Sequence, residues 1–151
     1  MKTLSIIIIG CLFCMKVRSQ NSSVQNDSTV KNLKIYLEKN IKFPPSALKD
    51  YDQGTMILCF EVNKDQKIGK IRFVRHLTLE CDSVVVNVIK EYSQTVSLPP
   101  TEYTIGLQFL ILESGKPDSE VIPLDQGLYK NLLFEINITT EFLKRKPSIV
   151  Y

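Results

Sequence analysis

The sequence predicts an α+β domain in which a small three-stranded antiparallel sheet packs against two helices. Three runs alternate between apolar and polar residues, which is typical of strands with one buried face. These runs are residues 55–62, 68–75 and 103–112. Two other stretches, one at 31–41 and one that begins near Cys81, carry apolar residues at helical spacing. We therefore place the domain at residues 31–112.

Residues 1–19 have the features of a secretory signal. Lys2 supplies a positive charge, and the apolar core of 12 residues is shorter than the roughly 20 that a spanning helix needs. Val17 and Ser19 are suitably small for a cleavage site directly after Ser19. We therefore expect an exported, periplasmic protein. The alternative is a lipoprotein anchored through Cys11, which ends a short lipidation-like motif.

Export would change the charge balance of the chain. The whole sequence has 19 basic and 16 acidic residues, and the signal contains three of the basic ones and no acidic residue. The exported chain would therefore carry 16 residues of each sign. This balance predicts no binding to nucleic acid or to anionic lipid.

The first helix of the domain follows a polar stretch at 20–30, which predicts a flexible lead-in. The helix covers 31–41 and has one apolar face, made of Leu33, Tyr36, Leu37 and Ile41. Pro44 and Pro45 prevent its continuation. Pro45 suits the first turn of a short helix over 46–51.

The first two strands form a predicted hairpin with its turn at 63–67. Gln66 stands in this turn where a glycine is usual. Alternation gives the first strand an inward face of Met56, Leu58, Phe60 and Val62. Its outward face consists of Thr55, Ile57, Cys59 and Glu61. In the second strand, Ile71 and Phe73 are predicted to face the core.

The second helix is predicted against the local preference of its residues. Residues 84–89 include five β-branched side chains, which favour a strand. Helical spacing nevertheless relates Cys81, Val85, Val88, Ile89 and Tyr92. Asp82 suits the N-terminus of a helix through its charge. We therefore predict a helix that begins near Cys81 and Asp82.

The third strand is followed by a C-terminal extension at 113–151. A helical stripe in the extension is formed by Leu128, Tyr129, Leu132, Leu133, Ile136 and Leu143. Ile136, Ile138 and Thr140 fit a strand equally well. We predict that the extension is partly helical.

Two cysteines, Cys59 and Cys81, would remain after export. An exported compartment permits a disulfide. However, the patterning places Cys59 on the outward face of the sheet and Cys81 in the core, which the geometry of a disulfide does not allow. We predict two free, partly buried thiols.

The sequence offers little for catalysis. His76 is the only histidine, so a site with several histidine ligands is excluded. A couple between His76 and either cysteine lacks an evident third group to orient it. The six glycines are scattered and form no phosphate-binding loop. We therefore predict a protein that is not an enzyme and that uses no cofactor, metal or small-molecule substrate.

An ordered set of features runs through the predicted domain. An aromatic–proline pair is followed by a small residue, a glycine, a charged hairpin turn, an arginine, the aspartate of the second helix and a proline. The residues are Phe43, Pro44, Ala47, Gly54, Asp65, Lys67, Arg75, Asp82 and Pro99 or Pro100. In this order and spacing, residues 33–112 resemble the TonB C-terminal domain family.

The chain also departs from that family. Phe43 replaces the usual tyrosine, Tyr51 and Gln66 stand where glycine is common, and the usual tryptophan is missing because the chain has none. The sequence shows neither the membrane-spanning anchor nor the Pro-rich spacer of the energy-transducing members. We therefore expect a stand-alone exported domain and not a full energy transducer.

The resemblance implies a protein-binding role. Members of the family add a segment of an outer-membrane transporter as a strand beside their last strand, which requires an exposed sheet edge. The corresponding edge here is Thr104, Ile105, Gly106, Leu107, Gln108, Phe109 and Leu110. Gly106 would allow a partner backbone to approach closely, and Phe43 and Pro44 would support the site.

Two alternatives to transporter binding follow from the same strand. In the first, the chain after Pro117 covers the edge, and Gly106 marks a bulge. In the second, the edge pairs with a second copy. The protein would then be a self-associating structural or regulatory component of the cell envelope.

Overall fold

The computed structural model of the protein describes residues 28–113, 116–117, 124–125 and 127–141. Within them the chain forms three helices: α1 (Ser28–Asn40), α2 (Pro45–Lys49) and α3 (Leu79–Glu91). The strands are β1 (Gly54–Val62), β2 (Ile68–Arg75), β3 (Glu102–Glu113), β4 (Lys116–Pro117) and β5 (Leu132–Glu141). The predicted signal at 1–19, with Ser19 and Cys11, lies outside the described residues.

The sheet contains four long strands in the order β2-β1-β3-β5. β1 pairs antiparallel with β2 and with β3, whereas β5 runs parallel to β3. The two residues of β4 pair only with the end of β3. The predicted α+β class is therefore confirmed, but the sheet is mixed and has one long strand more than predicted.

β5 corrects the prediction that the extension is partly helical, as far as residues 132–141 are concerned. Ile136 and Ile138 lie on the helix-covered side of the sheet and are buried, whereas Asn137 and Thr139, which follow each of them in turn, are exposed. This alternation is that of a strand. The prediction of a helix is wrong for this segment because pairing with β3 decides its structure, and local spacing does not.

The core lies between the helices and one face of the sheet. Its largest fully buried side chains include Phe60 and Phe109 from the strands and Leu33 and Leu37 from α1. α1 begins before the predicted residue 31, because Val30 is buried and belongs to the same apolar face. Residues 28–30 of the predicted lead-in are therefore helical, and residues 20–27 lie outside the described residues.

α3 is helical despite its β-branched run. Thr78 is its N-cap, and the Thr78 side chain accepts a hydrogen bond from the backbone N–H of Cys81 at 3.3 Å. Cys81, Val85 and Ile89 are fully buried along one face. Burial of this stripe stabilises the helix by more than the weak local preference for a strand opposes it.

The turn between β1 and β2 functions without a glycine. Gln66 adopts a left-handed backbone conformation with φ of 58°. The side-chain oxygen of Asn63 accepts hydrogen bonds from the backbone N–H groups of Asp65 and Lys67, at 3.0 and 2.9 Å. These bonds hold the turn closed and offset the cost of the left-handed residue.

The face of the sheet opposite the helices is also partly covered. β3 and β5 are parallel, and residues 124–125 and 127–131 of the chain between them lie on the outer face of β3, where Leu124 meets Gly106 and Lys130 meets Thr104. Ile57 and Cys59, predicted to face outward, do lie on this face. They are nevertheless only 1% and 4% exposed. We refer to residues 124–125 and 127–131 as the crossover segment.

We expect Ile136→Ala to lower the free energy of unfolding by about 2–5 kcal/mol, because it leaves a cavity beneath β5. Asn137→Ala, one residue further along at an exposed position, should change it by less than about 0.5 kcal/mol. Chemical denaturation measures both values. Equal, small effects would show that β5 is not part of the core.

Candidate functional site

The predicted partner-binding edge lies inside the sheet. Residues Gly54–Glu61 of β1 pair with one side of β3, and Leu132–Glu141 of β5 pair with the other side. The seven predicted residues are all buried: Thr104, Ile105, Gly106, Leu107, Gln108, Phe109 and Leu110. The prediction of an exposed edge at β3 is therefore wrong for this structure. The chain's own C-terminal strand occupies that edge.

The side chains of these seven residues divide between the two faces of β3. Ile105, Leu107 and Phe109 belong to the core beneath the helices. The other four residues alternate with them and lie on the opposite face of the sheet, the one that the crossover segment partly covers. They are Thr104, Gly106, Gln108 and Leu110. Burial on both faces and pairing on both edges leave this strand no surface for a partner.

Gly106 allows a close approach, but not by a partner backbone. A Cβ atom at this position would lie 2.3 Å from Cδ1 of Leu124 and 3.1 Å from Cγ of Glu135. The glycine therefore makes room for the side chain of Leu124 in the crossover segment. The predicted bulge at Gly106 is not present, because its pairing with β1 and β5 is regular.

Glu135 of β5 holds the crossover segment in place. Both of its carboxylate oxygens accept the backbone N–H of Leu124 at 3.1 Å. Nε2 of Gln108 donates to the same carboxylate at 3.4 Å. Further along, the hydroxyl of Thr104 donates to the carbonyl oxygen of Lys130 at 2.9 Å. Polar groups of β3 and β5 thus anchor the segment at both ends.

Phe43 and Pro44, predicted to support the site, serve the core and a helix. The ring of Phe43 meets that of Phe109 edge-on, with centroids 5.5 Å apart. Pro44 is the buried N-cap residue of α2. Both residues therefore have structural roles, one in the core and one at the start of α2.

The sheet has two outer edges in the described part of the chain, and they differ in chemistry. β2 exposes Lys70, Arg72 and Arg75, and its pairing with β1 has two register shifts. Basic side chains and irregular pairing are features that protect an edge from further strands. The β2 edge is therefore a poor site for strand addition.

The outer edge of β5 lacks such protection. Residues 134–141 contain no lysine, arginine, proline or glycine, and they are rich in types that favour strands. No strand among the described residues pairs with this side of β5. Residues 134–141 therefore form the candidate site. The alternation of Ile136, Ile138 and Thr140 was the sequence signal that pointed to it.

A shallow cavity of about 340 Å³ lies where the crossover segment meets β2. A guanidinium nitrogen of Arg72 donates to Oε1 of Glu102 at 2.8 Å in its wall, and this bond raises the pKa of Arg72. Val74 and Leu128 add exposed apolar surface. Cys59 also lines the cavity, and its sulfur lies 3.3 Å from the hydroxyl of Thr104. The cavity thus combines apolar surface with a mutually neutralising ion pair.

His76 is engaged by an acidic partner and not by a cysteine. Its Nδ1 lies 2.5 Å from Oδ2 of Asp82, and its ring packs on Phe73 with centroids 4.7 Å apart. Oδ1 of Asp82 accepts the backbone N–H of Leu77 at 3.3 Å. This cluster organises the approach to α3, with Asp82 buried in its first turn.

The two cysteines are free and buried, on opposite faces of the sheet as predicted. Burial is the main reason that the pKa of the Cys81 thiol is raised. A thiol that is buried and protonated is a weak nucleophile. Among the described residues, His76 is hydrogen-bonded to Asp82 and the Cys59 sulfur to Thr104, so the structure pairs His76 with an acid and with neither cysteine.

The described ranges of the chain contain no group of three or more histidine, cysteine or acidic residues arranged to hold a metal ion. None of their helices has the length and apolar character required to span a membrane.

No protein-family model matches the sequence, and no curated protein or solved structure matches it either. The resemblance to the TonB C-terminal domain family thus remains a hypothesis that depends on sequence features alone.

We expect Gly106→Ala to lower the free energy of unfolding by about 1–3 kcal/mol, because the new methyl group displaces Leu124 and Glu135. Gly69→Ala in β2 is the matched control, since its Cβ would meet nothing closer than the Glu61 carbonyl oxygen at 3.7 Å. The cost of Gly106→Ala should shrink in a Leu124→Ala background. Equal costs in both backgrounds would contradict the proposed contact.

The pKa of Cys81 predicts a loss of stability in alkali. The unfolded thiol ionises near its ordinary value of 9.0, whereas burial keeps the folded thiol protonated to higher pH. The stabilising contribution of the protonated Cys81 thiol is complete below pH 9.0, the pKa of the unfolded state, and is lost as pH rises through the higher pKa of the folded state. Denaturation midpoints should fall above pH 9, and less steeply in Cys81→Ala. Identical slopes in the two proteins would contradict this assignment.

Proposed function

We propose that the protein is a non-enzymatic protein-binding module of the cell envelope that acts by strand addition at the outer edge of β5. The observation that carries this proposal is the contrast between the two sheet edges. β2 has three exposed basic residues, whereas residues 134–141 of β5 have none. An open, regular edge supplies main-chain N–H and C=O groups to an extended partner.

The position of the binding edge differs from the one that the resemblance implies. Use of β3 would require displacement of β5, with loss of the buried contacts of Leu133, Ile136 and Ile138. Burial of three such side chains corresponds to about 5–9 kcal/mol of transfer free energy. A partner strand would have to replace all of it. Addition to β5 requires no such displacement.

Export to the periplasm is part of the proposal and depends on the predicted signal. The partner proposed for the β5 edge is an extended segment of an envelope protein, such as an outer-membrane transporter. The chemistry that favours this class is main-chain pairing, which demands an extended backbone more than a particular sequence.

The test is amide hydrogen exchange with and without added strands. In an edge strand, alternate amides point to the neighbouring strand and to solvent. We expect alternate amides of residues 134–141 to exchange rapidly in dilute protein and to become protected when ten-residue peptides from transporter N-terminal segments are added. Amides of β3 should stay protected throughout.

Asn137→Lys should weaken peptide binding at least tenfold, because a lysine on an edge strand opposes further pairing. Asn87→Lys, the same substitution on the exposed side of α3, should bind like the parent protein. Rapid exchange at β5 that no peptide and no increase in protein concentration changes would contradict the proposal.

A further inference from the structure

We propose that the β5 edge also pairs with a second copy of this chain when no other strand occupies it. Two β5 strands would pair antiparallel about a two-fold axis, and the two four-stranded sheets would join into one sheet of eight strands. This inference rests on the proposed function, because it names the occupant of the same edge. It adds a symmetry and a register that strand addition alone does not specify.

The two faces of β5 limit the registers that symmetry permits. A two-fold axis perpendicular to the sheet keeps the helices of both copies on one side, so core-facing residues pair with core-facing residues. An axis at Ile138 would place Glu135 opposite Glu141 of the partner subunit, and like charges directly opposite are destabilising. An axis at Ile136 would extend the pairing into the irregular start of β5.

An axis at Asn137 avoids both obstacles when the pairing extends from residue 134 to residue 140. It pairs Ile136 with Ile138 of the partner subunit on the helix side, and Glu135 with Thr139 of the partner subunit on the other side. The Asn137 side chain is exposed and would meet its own copy, where an amide can both donate and accept. The strand is therefore self-complementary in this register.

The flank of α1 supports the same symmetry. α1 packs against β5, and its Tyr36 contacts Tyr92 at the end of α3 with ring centroids 5.0 Å apart. The side of α1 opposite Tyr36 therefore lies toward the β5 edge, and helical spacing places Lys34 and Glu38 there. These two side chains form an exposed pair, with Nζ and Oε1 3.9 Å apart.

A two-fold axis beside this flank makes the pair self-complementary. The second α1 would run antiparallel to the first, so Lys34 would face Glu38 of the partner subunit. The contact area is that of one strand pair and one helix flank, which is small for a permanent dimer. We therefore expect reversible dimerisation that depends on protein concentration.

Sedimentation equilibrium over a hundredfold range of protein concentration tests the inference. We expect a reversible monomer–dimer equilibrium in the parent protein and in Asn87→Lys, the control on α3. Asn137→Lys and Asn137→Asp should each weaken dimerisation at least tenfold, because they place like charges at the axis. An equimolar mixture of these two variants should recover dimerisation as a heterodimer. Circular dichroism confirms that each variant is folded.

The outcomes separate this inference from the proposed function. A monomer at every concentration whose β5 amides are protected by transporter peptides would overturn the inference and leave the function standing. A dimer that is unaffected by both Asn137 variants would overturn the β5 interface. A monomer that binds no peptide would overturn both proposals. Heterodimer recovery in the mixture is the result that only the Asn137-centred register predicts.

Discussion

The second edge of β3 is the constraint on which the rest of the structure depends. With β1 on one side alone, the main-chain groups of a buried strand would lack partners, which is costly. β5 satisfies them from Thr104 to Leu112. Because β5 runs parallel to β3, the two strands need a connection that passes over one face of the sheet, and its residues 124–125 and 127–131 lie on the face opposite the helices. Covering that face buries Ile57 and Cys59 and requires a residue without a side chain at Gly106.

This arrangement moves the available binding edge outward by one strand. β3 becomes an interior strand, paired on both edges and buried on both faces, and β5 takes over the position at the margin of the sheet. The opposite margin, β2, carries the basic side chains that discourage pairing. The two margins therefore have different capacities for association. That asymmetry, together with the self-complementary flank of α1, favours a symmetric contact through β5.

Much of the domain could be predicted because its signals are local. β1 and β2 follow from alternation around a polar turn, and α3 follows from the stripe of Cys81, Val85 and Ile89. β5 could not be predicted in the same way. The apolar residues around Ile136 fit both the period of a helix and that of a strand. The strand that pairs with β5 in parallel is β3, which lies about 30 residues earlier in the sequence, so the pairing leaves no local signal. Because β5 was not predicted, the candidate site was placed on β3 and not on β5. Ile57 is an apolar residue on the outward face of β1, and its burial shows that this face is covered.

A set of interstrand NOEs between β3 and β5 in the isotope-labelled protein would test the position of β5 directly. We expect backbone NOEs that place Leu107 beside Ile136 and Phe109 beside Ile138, in a parallel register. Their absence, together with rapid solvent exchange of alternate amides in residues 104–110, would contradict it. β3 would then be a free edge, and the candidate site would return to that strand.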